Sequence, residues 1–157
     1  MCYNNNENSQ TIKKRNRFRK YFCIIEGGLQ LKKVLVCITP QANGARLIDK
    51  GHEISLHISA ELHILHVEQN NSVFYTDESA QMLDSLFRYG SERGGVVHAI
   101  CAQTPFEAIK RFIKEKDITD VVLGESPDTR SGISERLYTA MPHICVHVLY
   151  KSLHTNM

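Results

Sequence analysis

No stretch of the 157 residues approaches the roughly 18 apolar residues in a row that a membrane-spanning helix needs, so no membrane insertion is expected. The five cysteines, Cys2, Cys23, Cys37, Cys101 and Cys145, are odd in number and form no CxxC pair. That excludes a disulfide framework and fits reduced thiols in the cytoplasm. Eight histidines are present, yet no helical HxxxH joins a cysteine or carboxylate at ligand spacing, and no metal is expected. His63 and His66, three apart on one strand, face opposite ways, while His143 and His147 flank a strand with only hydrophobic chemistry between them. Ser126, Ser131 and Ser134 lie in no GxSxG elbow, which argues against a hydrolase. The acid pairs Asp49 with Glu53 and Asp84 with Glu92 have the spacing of helix-surface charges, and none is placed for acid/base work.

What is present is ordinary for a globule: 42% hydrophobic and 23% charged residues, enough chain for one domain with its own core. The net charge of +2 is unevenly spread. Residues 1–30 hold Lys13, Lys14, Arg15, Arg17, Arg19 and Lys20 against Glu7 and Glu26, leaving residues 31–157 with 13 basic and 15 acidic side chains. A mildly acidic body disfavours a nucleic-acid partner.

Residues 1–30 read as a disordered basic tail, either a nucleic-acid or membrane-surface arm or an accessory extension. An apolar piece of only Tyr21 to Ile25 is too short for a signal peptide. Glu26-Gly27-Gly28 is also what a translated ribosome-binding site would encode, which makes Leu31 a second reading of the start. Residues 152–157 form a short C-terminal tail beyond a domain at 31–151.

Within that domain, Lys33 to Ile38 is a continuous apolar, β-branched run suited to a strand buried on both faces. Asn43 is placed to cap a helix whose face is Leu47, Gly51, Ile54 and Ile58. Leu62 to Val67 gives a second strand, followed by a polar loop from Glu68 to Tyr75. The next helix opens at Thr76 or Asp77, buries Met82, Leu83, Leu86 and Phe87, and stops at Gly94-Gly95. Val96 to Cys101 is the third strand, with Cys101 near the cleft edge. Thr104-Pro105-Phe106-Glu107 combines a capping box with proline at the first helical position, and Phe106, Ile109, Phe112 and Ile113 form the stripe of that helix. A fourth strand, Thr119 to Leu123, leads through Gly124 and a polar loop into a short helix from about Ser131 to Ala140, ended by Pro142. Ile144 to Leu149 is the last strand. Strands alternating with amphipathic helices predict an α/β fold with a doubly wound parallel sheet and right-handed crossovers.

Residues 32 to 150 resemble a universal stress protein (UspA-like) domain. VLVCITPQANGARLIDKGHEIS and AELHILHVE are most similar to the version embedded in Kdp-type potassium-sensor histidine kinases. The resemblance implies a five-stranded Rossmann-like sheet of order 3-2-1-4-5, the adenine nucleotide alpha hydrolase-like fold. It also implies homodimers paired through the last strand (Ile144 to Leu149) and a ligand cleft between the loops after strands one and four. In that order the sheet reverses between strands one and four, where parallel α/β sheets place ligands. Members that hold ATP carry an Asp after strand one and a loop G-x2-G-x9-G-[ST] after strand four. Here Thr39 takes the aspartate position, Gly124 keeps the first glycine, and Pro127, Leu137 and Tyr138 stand at the other three. Proline fixes φ and lacks an N–H, so the loop departs from the ATP-binding pattern. An anion held by Arg130, Ser131 and the following helix start remains open. Kinase-borne relatives that bind cyclic di-adenosine monophosphate carry motifs matched here only by the hydroxyl of Thr39 and the ring of His66.

The expectation is therefore a stand-alone, non-enzymatic universal stress-like regulator of bacterial stress or osmotic response, cytoplasmic and dimeric. Its degenerate nucleotide cleft is formed by Thr39, Gly124, Arg130 and Ser131. An adenine nucleotide is the one cofactor the resemblance suggests. The alternative is a ligand-independent interaction module whose partner is a sensor kinase or transporter. An adenylate-forming enzyme would carry SGGxDS or HxGH, and neither occurs.

Overall fold

A computed structural model describes residues 31–69, 76–125 and 132–151. Five strands and four helices alternate: β1 (Lys33–Cys37), α1 (Gly44–Ile58), β2 (Glu61–Gln69), α2 (Asp77–Glu92), β3 (Val96–Ala102), α3 (Pro105–Lys116), β4 (Asp120–Gly124), α4 (Ile133–Ala140) and β5 (Cys145–Leu149). All neighbouring strands are parallel and lie in the order β3-β2-β1-β4-β5, as expected. The central strand pairs Val34 with Leu62 on one side and with Asp120 on the other. The tail readings fall on residues outside those described.

The alternation of side chains along each strand divides the core into two layers. Leu35, Leu65, Val121 and Leu123 face α3 and α4 together with Phe112, Ile113, Leu137 and Met141. Val34, Val36, Ile64 and Val122 face α1 and α2 together with Ile48, Leu83 and Leu86. Val34, Leu35, Val36, Val121 and Val122 have no exposed surface at all, which is why β1 and β4 read as unbroken apolar runs. The edge strand β5 is half-buried along its whole length.

Several boundaries shift for identifiable reasons. β2 runs to Gln69, two residues past the expected strand, because Glu68 and Gln69 pair with Cys101 and Ala102 of β3. β4 begins at Asp120 and includes Gly124, whose partner is Leu149. Helix α4 is described from Ile133, and its expected start at Ser131 lies outside the described residues. Met82 is 38% exposed rather than core, since Leu83 and Leu86 already occupy the inward face of α2.

The caps also divide. Thr76 caps α2 as expected, its hydroxyl accepting the Ser79 N–H at 3.2 Å. Thr104 precedes α3, but its side chain makes no cap bond, and Glu107 pairs forward with Lys110 at 3.0 Å instead of closing the box. Asn43 precedes α1 with helical backbone angles, φ −81° and ψ −3°, and it makes no side-chain cap bond. A capping side chain needs an extended backbone to fold back over the first turn. Gly94, at φ +77°, supplies the left-handed turn after α2. Arg93 packs its guanidinium on Tyr89, and both side chains bond Asp49 of α1, at 3.0 and 2.8 Å, fastening the two helices on that face.

Candidate functional site

The sheet reverses direction between β1 and β4, so the chain leaves these adjacent strands toward opposite faces and opens a crevice at their carboxyl ends. On one side β1 ends at Cys37, and the Ile38 N–H still donates to the Leu65 carbonyl at 2.9 Å. Thr39 follows, exposed, with its carbonyl accepting from the Gln41 N–H at 2.7 Å. On the other side Gly124 is half-buried at the end of β4, and the Glu125 N–H continues the ladder to the Leu149 carbonyl at 2.9 Å.

Gly124 does not adopt positive φ, so a tight turn is not what its missing side chain serves. A β-carbon built there would lie 3.6 Å from Leu47 and 4.0 Å from the Asn43 amide nitrogen, ordinary contacts. The amide of Asn43, which leaves the helix end uncapped, therefore borders the crevice beside Gly124. Asn43 is the crevice residue that sequence reading assigned elsewhere, because its capping failure depends on a backbone angle. Of the four predicted site residues, Thr39 and Gly124 stand at the ends of the two reversal strands. Arg130 and Ser131 lie outside the described residues, as do Ser126 and Pro127.

The two residues at the last motif positions are described, and neither is available as a phosphate contact. Leu137 is fully buried between α4 and the sheet. Tyr138 is 53% exposed, and its hydroxyl donates to the Val146 carbonyl of β5 at 3.0 Å. Beside them Arg136 lies over the Phe106 ring at 3.7 Å, docking α4 on α3. His66, the ring suggested for a cyclic dinucleotide, is buried and occupied: Nδ1 lies 3.1 Å from the Ile38 carbonyl and Nε2 lies 3.0 Å from Glu68.

His63 is buried too, stacked on His98 with ring centroids 5.3 Å apart and Nδ1 3.0 Å from Nε2 of His98, against the edge of Phe112. Its Nε2 makes no hydrogen bond within normal distance among the described residues; the Glu61 carboxylate lies 3.6 Å from it. Burial lowers the pKa of His63 below 6.5; the Glu61 carboxylate opposes this, and Lys33 and Lys116 add to it. Burial likewise lowers His98, helped by His63 and Lys116. The unfolded chain therefore takes up protons at these rings before the folded chain does. Their contribution is complete above the unfolded value of about 6.5 and is lost as pH falls through the lowered folded values. Thermal unfolding followed between pH 7.5 and 5 is expected to show a falling midpoint, and His63→Leu is expected to flatten that fall. An unchanged slope in the variant would refute the assignment.

Burial also pushes the Cys37 thiol up to about 12, so it packs as a hydrophobe and is no nucleophile. Cys101 is exposed on the edge strand β3, with β2 and β1 between it and the crevice, and not at the cleft edge.

No protein-family model and no curated protein matches this chain. Solved structures do match it. A universal stress protein in complex with cAMP is 14% identical, with 76% of this chain and 96% of that one covered and a TM-score of 0.56. A universal stress protein family member from Burkholderia pseudomallei is 18% identical over 78% of this chain and 98% of its own, with a TM-score of 0.57. A universal stress protein from Archaeoglobus fulgidus in complex with dAMP is 16% identical over 77% and 98%, with a TM-score of 0.54. At these identities the likeness establishes the fold, the universal stress protein version of the Rossmann-like α/β sheet.

Proposed function

We propose that residues 31–151 form a universal stress protein-like regulatory domain that acts by binding rather than turnover. Its ligand is an adenine nucleotide held weakly in the crevice between β1 and β4. The observation that carries this reading is the reversal of the sheet at that crevice, bordered by Thr39, Asn43 and Gly124. Structural neighbours solved in complex with cAMP and with dAMP support the ligand class. Binding is weak in this reading because Leu137 and Tyr138 are committed to packing, so the backbone donors of a glycine loop are missing. Arg130 and Ser131 supply the remaining anion contacts.

Calorimetric titration of the purified protein with ATP, AMP, cAMP and cyclic dinucleotides tests this. A weak adenine mononucleotide signal that Gly124→Val abolishes is the expected result. Tight ATP binding with measurable hydrolysis would overturn it, and so would no response to any of the four.

A second element of the reading is a cytoplasmic homodimer paired through β5. This strand is a half-buried sheet edge, flanked by exposed Tyr138 and Tyr150, and an open edge of this kind is a template for pairing. Light scattering that returns only monomer would remove the dimer. The likeness of the β1–α1 segment to the domain inside Kdp-type kinases favours a role in osmotic or stress response. The same open edge is what a ligand-independent module would offer a sensor kinase or transporter. Capture of such a partner by the Gly124→Val variant as well as by the native protein would favour that reading.

A further inference from the structure

At the amino end of the β4–β5 pair, opposite the crevice, three metal-ligating side chains converge. Asp120 opens β4, Cys145 opens β5 directly across from it, and His147 follows two residues on. Positions i and i+2 of a strand share a face, and paired positions on neighbouring strands lie side by side, so all three project together. His147 Nε2 lies 3.2 Å from Asp120 Oδ1. One ligand atom from each of the three falls within 4.8 Å of the others, and all three residues are half-buried.

We propose that Asp120, Cys145 and His147 form a binding site for a divalent zinc-class cation. A tetrahedral ion with bonds of about 2.0–2.3 Å needs ligand atoms roughly 3.3–3.8 Å apart, so small side-chain rotations close this set. Thiolate, imidazole and one carboxylate form a borderline-soft donor set that suits zinc, not the all-oxygen shells of calcium or magnesium. Three protein ligands leave a fourth position to water, and the half-exposed setting gives the ion an entry path. An outer contact is also in place: Thr119 Oγ1 lies 2.7 Å from Asp120 Oδ2, on the carboxylate oxygen turned away from His147. On binding, the Cys145 thiol releases its proton to solvent and the thiolate ligates the ion. The ion then clips the sheet edge β5 to β4. The site is independent of the nucleotide crevice.

The test uses the reduced, chelator-treated full-length protein titrated with Co2+ and then Zn2+. One equivalent of Co2+ per chain is expected to give a thiolate-to-cobalt charge-transfer absorption that zinc displaces. Cys145→Ser and His147→Gln abolish the band, Cys101→Ser leaves it intact, and Thr119→Val weakens affinity about 10- to 100-fold. Absence of the band, or its persistence in Cys145→Ser, overturns the proposal. Should a variant fail to fold, native-protein alkylation decides: zinc slows iodoacetamide modification of Cys145, read by peptide mass spectrometry, and leaves Cys101 unaffected. Equal rates with and without zinc refute the site.

Discussion

Restoring the last two motif residues by Leu137→Gly together with Tyr138→Ser is expected to destabilise the protein by about 3–6 kcal/mol without creating tight ATP binding. Leu137 has no exposed surface and packs in the layer formed by Leu35, Val121, Phe106 and Met141. Removing such a side chain costs about 2–5 kcal/mol in lost transfer and cavity terms, and glycine inside a helix adds about 1 kcal/mol. With only eight residues, α4 has few other anchors, and the change also removes the Tyr138 bond to β5. Against the 5–15 kcal/mol typical of a domain, this is a large fraction. Urea denaturation measures it directly, with Leu137→Met as the volume-conserving control at under about 1.5 kcal/mol. A double variant as stable as the native protein and tight for ATP would mean that the motif, and not the core, governs this helix.

The second large effect concerns how closely α1 rests on the sheet. A β-carbon at Gly51 would sit inside the van der Waals envelope of Val36 Cγ2. Val36 is fully buried and β-branched, with one stiff torsion and no room to turn. Gly51→Ala is therefore expected to cost about 2 kcal/mol, within the range for overpacking. Gly90 of α2 makes the instructive comparison. Its added β-carbon would meet Ile64 Cδ1, the far end of a longer side chain that can rotate away. Gly90→Ala is expected to cost no more than about 1 kcal/mol, because helix propensity returns a similar amount. Equal losses for the two would show that rotamer freedom of the facing residue is not what decides.

How far the fold could be read from sequence follows from what each element depends on. β1 and β4 were legible because both faces are buried, which leaves a run of Val, Leu and Ile that no surface element carries. Strand order came from family resemblance, and the structure bears it out. Thr76 caps on an extended backbone and Asn43, on a helical one, makes no cap bond; Thr104 is extended like Thr76 and makes no side-chain cap bond either. Of the expected site residues, Thr39 came from the family resemblance and Gly124 from the break of an apolar run; the structure places Gly124 last in β4 and Thr39 two residues past β1. The Asn43 contact was not legible, since it needs a backbone angle. The convergence of Asp120, Cys145 and His147 was not either, since it depends on the pairing register of β4 with β5, and helical histidine spacing passes over a Cys-x-His on a strand.

The position of β1 in the middle of the sheet has a consequence for how the chain is made. One neighbour, β2, follows directly after the crossover through α1, but the other contact of Lys33 is with Thr119, 86 residues later in the chain. At ribosomal rates of about 5–20 residues per second, that partner arrives roughly 4–17 s after Lys33. Throughout that interval the edge of Val34 to Val36 that β4 will cover has no strand beside it. The nascent chain thus carries an open apolar edge for seconds before the sheet can be completed, the kind of segment on which chaperones act and through which misassembly begins.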